Sequence, residues 1–257
     1  MGFIKSILAL GVSRLQLISL PVRHAICVCG VAGAIVAPLL VVSLESNEEP
    51  VDVRITREMW VGSTEVTQGQ WRQIMGHMPW MSYVEKRLND NNAATHMTWD
   101  EAVDFCQRLT DRERRAGNIP VDGEFRLPTE ADWEYFCRAG TFNAFCYGDD
   151  EAQIGDYAWW KGNTQDVNEG YAHEVGTLKP NAWGLHDIHG NGFEFCYDSY
   201  SPHLPGGDDL VVTDPPIARK VTGYRCRYSN VQIRRMESSK NYVLRISALR
   251  VYPGILG

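Results

Sequence analysis

The side chains in this sequence that could carry chemistry are cysteines, histidines and a few carboxylates, and their spacing narrows what that chemistry is. The chain holds seven cysteines. Cys27 and Cys29 fall in an apolar run, where they read as small packing residues rather than metal ligands. Cys106, Cys137, Cys146, Cys196 and Cys226 lie in the remainder, an odd number, so at least one has no partner within that part of the chain. The segment 219–236, RKVTGYRCRYSNVQIRRM, offers only Cys226. His186 and His189 have HxxH spacing and precede Glu194. On a helix face that set would fit a transition metal. Here it sits in the glycine-rich run HDIHGNG, a turn, and no such metal is expected. Arg225, Arg227, Arg234 and Arg235 read as a solvated basic face, with an anion-contacting surface as the alternative.

Helices must position these groups, and three threonines announce them. Thr67 with Gln70, Thr98 with Glu101, and Thr129 with Asp132 each place an acceptor hydroxyl three residues before a side chain that can reach back. Apolar residues follow at helical spacing: Trp71, Ile74 and Met75; Ala102, Val103, Cys106 and Leu109; Trp133, Phe136 and Cys137. Gly76 and Gly140 are the expected stops of the first and third. Strand-like runs are short: 51–56, 60–66, 174–177, 211–213 and 243–251. Strands and helices do not alternate, and there is no glycine-rich phosphate loop. The expectation is an α+β domain with low regular secondary structure. All eight tryptophans lie between 60 and 183 and are expected to build the core.

Charge divides the chain. Residues 1–44 contain Lys5, Arg14 and Arg23 and no acid, which leaves 22 basic residues against all 32 acids in the rest. The net charge of −7 excludes a nucleic-acid binder that relies on a broad basic face. Residues 25–44, AICVCGVAGAIVAPLLVVSL, carry no charge and would span about 30 Å as a helix. With basic residues before and acids after, the positive-inside rule places the body outside the cytoplasm. The organisation expected is a basic leader at 1–24, a transmembrane or signal-anchor segment at 25–44, a linker at 45–52 and a domain at 53–257. A cleaved signal peptide and a mis-assigned start codon are the alternatives to the anchor.

Four blocks carry a further signal: WVGSTEVTQGQW at 60–71, THMTWDEAVDFCQRL at 95–109, FRLPTEADWEYFCRAGT at 125–141 and KPNAWGLHDIHGNGFEFCYDSY at 179–200. In order and spacing they resemble the formylglycine-generating enzyme, or sulfatase-modifying factor, family over about residues 53–215. The resemblance implies a loop-rich fold related to C-type lectin-like domains. It also implies, for active members, oxidation of a sulfatase cysteine to formylglycine with molecular oxygen and copper held by a cysteine pair. A calcium site is implied at Asp187 and Glu194 through side-chain oxygens and at Gly190 and Gly192 through carbonyls. The alternative is that Glu194 and Asn191 merely brace the loop by hydrogen bonds. A disulfide between Cys137 and Cys226 is also implied, with a free buried Cys226 thiol or a copper ligand as the other possibilities.

The sequence departs from the family where the oxidase chemistry resides. There is no Gly-Gly-Ser and no second cysteine in 219–236, no Gly-x-Phe-x-Met-Gly strand before Val53, and Ala248-Leu249-Arg250-Val251 where Gly-Phe-Arg is usual. Copper is therefore not expected, and Cys226 is only a weak catalytic candidate. The function expected is a secreted or membrane-anchored, calcium-stabilised binding or accessory module whose partner is a protein or a small molecule. A formylglycine-generating oxidase, or another oxidative activity on the same scaffold, is the alternative.

Overall fold

The three threonines do cap helices. In the computed structural model of the protein, which describes residues 59–82, 88–167 and 169–198 with short segments at 17–20, 40–41, 52–55, 212–213, 242–243 and 247–249, helices α1 (Gln68–Met75), α2 (Trp99–Arg115) and α3 (Glu130–Arg138) each begin with a reciprocal capping box. A one-turn helix, α4 (Ile154–Tyr157), follows. Gly76 ends α1 in the left-handed conformation, at φ 76°. At the end of α3 that role falls one residue earlier than expected, on Ala139 at φ 50°.

Strands are short and drawn from distant parts of the chain. The described strands are β1 (Leu17–Leu20), β2 (Leu40–Val41), β3 (Asp52–Arg54), β4 (Met59–Gly62), β5 (Glu124–Arg126), β6 (Phe193–Glu194), β7 (Val212–Thr213), β8 (Tyr242–Val243) and β9 (Ser247–Leu249). They form an antiparallel sheet in the order β1-β4-β9-β5, a sheet β2-β3-β7 and the parallel pair β6-β8. Strands β1 and β2 fall within the stretches expected to be leader and apolar anchor. There they pair with β4 and β3, so these described pieces are strand and not helix. The rest of 1–44 lies outside the described residues. No helix among the described residues is long and apolar enough to cross a membrane.

Two expected strands are cut back for a physical reason. β4 stops at Gly62 because the next residues serve another segment: the Ser63 carbonyl accepts from His186 N at 2.8 Å and the Val66 carbonyl from Ala94 N at 2.9 Å. The run 174–177 makes only a single bridge, from Glu174 to Asn92, and turns at Gly176, which has φ 73°.

The core is aromatic, as composition implied. Trp71, Trp80, Phe105, Phe125 and Phe195 fill one cluster, in which the rings of Trp71 and Phe105 stack at 5.3 Å. Trp133, Phe136, Leu185, Ile188 and the inward side chains of β4, Met59 and Val61, fill a second. A buried ion pair at the start of α3 fixes the approach of β5. Arg126 Nη2 lies 2.7 Å from Asp132 Oδ2, and the same oxygen accepts from Thr129 N at 3.1 Å. Removing one partner of such a pair strands a buried charge, which costs about 3–5 kcal/mol. Asp132→Asn is expected to lose stability on that scale in urea unfolding, well beyond the roughly 1 kcal/mol of cap loss expected for Thr129→Ala.

Candidate functional site

The segment 181–194 is folded by its own polar residues and then tied to the core. Asn181 Oδ1 accepts from Trp183 N at 2.9 Å and Leu185 N at 3.1 Å, while its amide donates to the Phe136 carbonyl of α3 at 2.8 Å. Beyond it the chain reverses tightly. Gly190 N donates to the Asp187 carbonyl at 3.1 Å and Gly192 N to the Gly190 carbonyl at 2.8 Å. Asp187 and Asn191 hold φ at 59° and 66°, a left-handed conformation that these two residue types tolerate better than most. Gly190 is required by contact: a Cβ there would lie 2.2 Å from the Trp159 carbonyl oxygen.

This turn holds all four residues expected to bind calcium. The Asp187 and Glu194 side chains are buried, at 1% and 2% exposure. Asp187 Oδ2 accepts from Gly176 N at 2.6 Å, and Glu194 Oε2 accepts from the Trp133 indole at 2.8 Å. The Gly190 and Gly192 carbonyls belong to the turn between them. The set is buried and all oxygen, and calcium, a hard cation, prefers such donors. The bracing interactions are present as well. Asn191 Nδ2 donates to Glu65 Oε2 at 2.8 Å, and Asn191 Oδ1 accepts from His173 N at 2.8 Å. Glu65 carries no local sequence signal, because its partner is 126 residues away.

The histidines diverge. His186 Nδ1 is 2.7 Å from the Leu178 carbonyl. His189 Nε2 accepts from Cys146 N at 3.1 Å, so the neutral ring carries its proton on Nδ1, which faces Cys137 Sγ at 4.0 Å. Burial, with the Arg138 charge second, lowers the His189 pKa to about 4 and keeps the ring neutral. His173 stacks between Trp159 and Tyr171, with ring centroids 4.1 and 4.5 Å away. Among the described residues no three histidine, cysteine, aspartate or glutamate side chains come together to hold a metal ion.

The cysteines correct one expectation. Cys137 is a free, buried thiol, so the disulfide to Cys226 is not made. Its sulfur points instead at His189. Cys196 is the described cysteine that is disulfide-bonded. Cys106 and Cys146 are free and buried. Burial raises the pKa of all three free thiols, that of Cys146 to about 12, and Glu134 and Cys146 push Cys137 up further. None of the three is a thiolate near neutral pH. Cys226 and the basic cluster of 219–236 lie outside the described residues.

Residues 33–245 match the Sulfatase-modifying factor enzyme 1-like domain. The chain belongs to this family. Its members among curated proteins include the formylglycine-generating enzyme of Mycobacterium tuberculosis, 38% identical over 161 residues, or 60% of this chain and 46% of that protein. The formylglycine-generating enzyme of Bos taurus is 31% identical over 52% of this chain and 35% of its own length. "Chaperone protein LppX" of Paenibacillus barcinonensis is 25% identical over 58% of this chain and 65% of its own length. The chain thus spans less than two thirds of each of these relatives. Among solved structures, Treponema denticola variable protein 1 superposes with a TM-score of 0.68 at 22% identity, covering 91% of this chain and 94% of that one. PvdO from Pseudomonas aeruginosa superposes with a TM-score of 0.56 at 17% identity, covering 80% and 86%. At those identities the likeness shows the fold alone, that of formylglycine-generating-enzyme-like proteins with little regular secondary structure.

In this family member the turn is the most tightly specified part of the site. Because the atom that an added Cβ would meet at Gly190 is backbone, no rotamer change can relieve the clash. Gly190→Ala is expected to destabilise the protein by about 1–3 kcal/mol, read from chemical denaturation. Wild-type stability in that variant would show that Trp159 and the turn do not pack as described.

Proposed function

We propose that this chain is a member of the sulfatase-modifying factor family without formylglycine-generating oxidase activity, acting as a calcium-stabilised binding or accessory module outside the cytoplasm. The observation that carries the reading is the state of the sulfurs. Copper-dependent oxygen chemistry needs a pair of accessible thiolates. The segment 219–236 supplies one cysteine, Cys196 is tied up in a disulfide, and the free thiols Cys106, Cys137 and Cys146 are buried and protonated. An accessory role also agrees with a relative that is named a chaperone. The basic residues before the charge-free run at 25–44 and the acids after it support placement outside the cytoplasm by secretion or anchoring, although Leu40–Val41 at its end pair as strand with β3. We read the architecture as an α+β fold related to C-type lectin-like domains, and its partner as a protein or a small molecule.

Calcium would be held by Asp187, Glu194 and the carbonyls of Gly190 and Gly192. There it would neutralise two buried carboxylates and cross-link the turn. It would supply structural stabilisation and no redox chemistry, so the residues of the turn bind and orient.

The second reading is a formylglycine-generating oxidase, favoured by the 38% identity to the Mycobacterium tuberculosis enzyme. One incubation separates the two. With copper, a reductant and a Cys-x-Pro-x-Arg peptide, the peptide mass is expected to stay unchanged. Formation of the aldehyde would establish the oxidase. Calcium removal is the companion test. A chelator is expected to lower the Tm of the wild type, by linkage, and to leave that of Glu194→Ala unmoved. An unchanged wild-type Tm would dismiss the calcium site.

A further inference from the structure

The turn that would hold calcium is fixed from outside itself by one buried side chain. Glu65 has 0% exposure and follows the stretch whose Ser63 carbonyl receives His186 N. Its Oε2 accepts from Asn191 Nδ2 at 2.8 Å. Asn191 stands between Gly190 and Gly192: the peptide plane before it carries the Gly190 carbonyl, and the Gly192 carbonyl follows one residue beyond it. Its own backbone is left-handed, at φ 66°, and every polar group described for it is engaged. The N–H donates to the Trp159 carbonyl at 2.8 Å, Oδ1 accepts from His173 N at 2.8 Å, and Nδ2 is also 3.3 Å from the His173 carbonyl. Glu65 does not join Asp187 and Glu194 in a three-acid group able to hold a metal. Its carboxylate acts on the amide instead.

We infer that Glu65 is a positioning residue for the cation turn: through its hydrogen bond to Asn191 it holds the Gly190 and Gly192 carbonyls in a ligating orientation before the ion arrives. The inference rests on the calcium reading above. The physical basis is preorganisation. A charge-assisted hydrogen bond in a buried setting is stronger than a neutral one, and a loop already ordered does not lose that conformational freedom on binding. Without the clamp, ordering falls to the binding step and affinity drops.

The test is calcium titration by calorimetry on the full chain, with the Tm of each calcium-free variant recorded alongside. Asn191→Gly keeps the left-handed backbone accessible and removes the side-chain bonds. Glu65→Met keeps volume and removes the acceptor, and it serves if the glycine variant fails to fold. Glu65→Gln keeps an acceptor oxygen and removes the charge. The expected result is a Kd about tenfold weaker in Asn191→Gly and in Glu65→Met, and within about threefold of wild type in Glu65→Gln. Wild-type Kd in both clamp-breaking variants would overturn the inference while leaving the calcium reading intact. A Glu65→Gln Kd as weak as that of Glu65→Met would also overturn it, since Glu65 would then act by charge on the ion. A wild-type protein that takes up no calcium would remove both readings together.

Discussion

Two carboxylates buried in one tight turn constrain this structure more than any other feature. Ionised groups are costly to bury unless hydrogen-bonded or neutralised, and Asp187 and Glu194 are almost fully enclosed. Much of the surrounding architecture supplies the donors. Helix α3 brings the Trp133 indole to Glu194, and the turn at Gly176 brings its N–H to Asp187. The residues after β4 leave the sheet so that Ser63 and Glu65 can hold the segment from the other side. The failure of 174–177 to become a strand follows from that demand, since the Gly176 N–H goes to Asp187, while the shortened β4 and the glycine at 190 follow from the packing of the segment against Ser63 and Trp159.

The sulfurs follow a different rule. In an apolar core the charged form of a thiol is disfavoured, and three of the described cysteines sit in that state. Cys137 and Cys146 flank the imidazole of His189, which is itself held neutral by burial and by the Cys146 N–H. This is packing chemistry, suited to stability and not to nucleophilic attack. The described helices, the aromatic core and the turn do not call on a thiolate at any of these three cysteines. Fold and activity are separable because the scaffold depends on one set of residues and the reaction on another.

What was legible in the sequence was local. Thr67, Thr98 and Thr129 could be read as caps because donor and acceptor are three residues apart, and all three helices start there. Asp187, Gly190, Gly192 and Glu194 were grouped by the family resemblance, whose motif covers the eight positions from 187 to 194. What depended on distant partners was not legible. Glu65 meets Asn191 across 126 residues, and nothing in its neighbourhood signals that. The expected Cys137–Cys226 disulfide failed for the same reason: pairing is set by where the folded chain brings sulfurs, and Cys137 is brought to a histidine. The 174–177 run alternates like a strand, yet Gly176 turns there and its N–H is taken by Asp187.

The proposed function requires that the folded chain form no thiolate pair able to grip copper. Its most direct test is titration of the full-length protein, with the Cys196 disulfide intact, with copper(I) in competition with a chromophoric chelator. The account predicts that the chelator keeps the metal and that the cysteines outside the disulfide remain titratable as free thiols once the protein is unfolded. Stoichiometric one-to-one copper uptake that abolishes with Cys226→Ser would contradict it, because a second sulfur would then have to stand beside Cys226 in the folded protein.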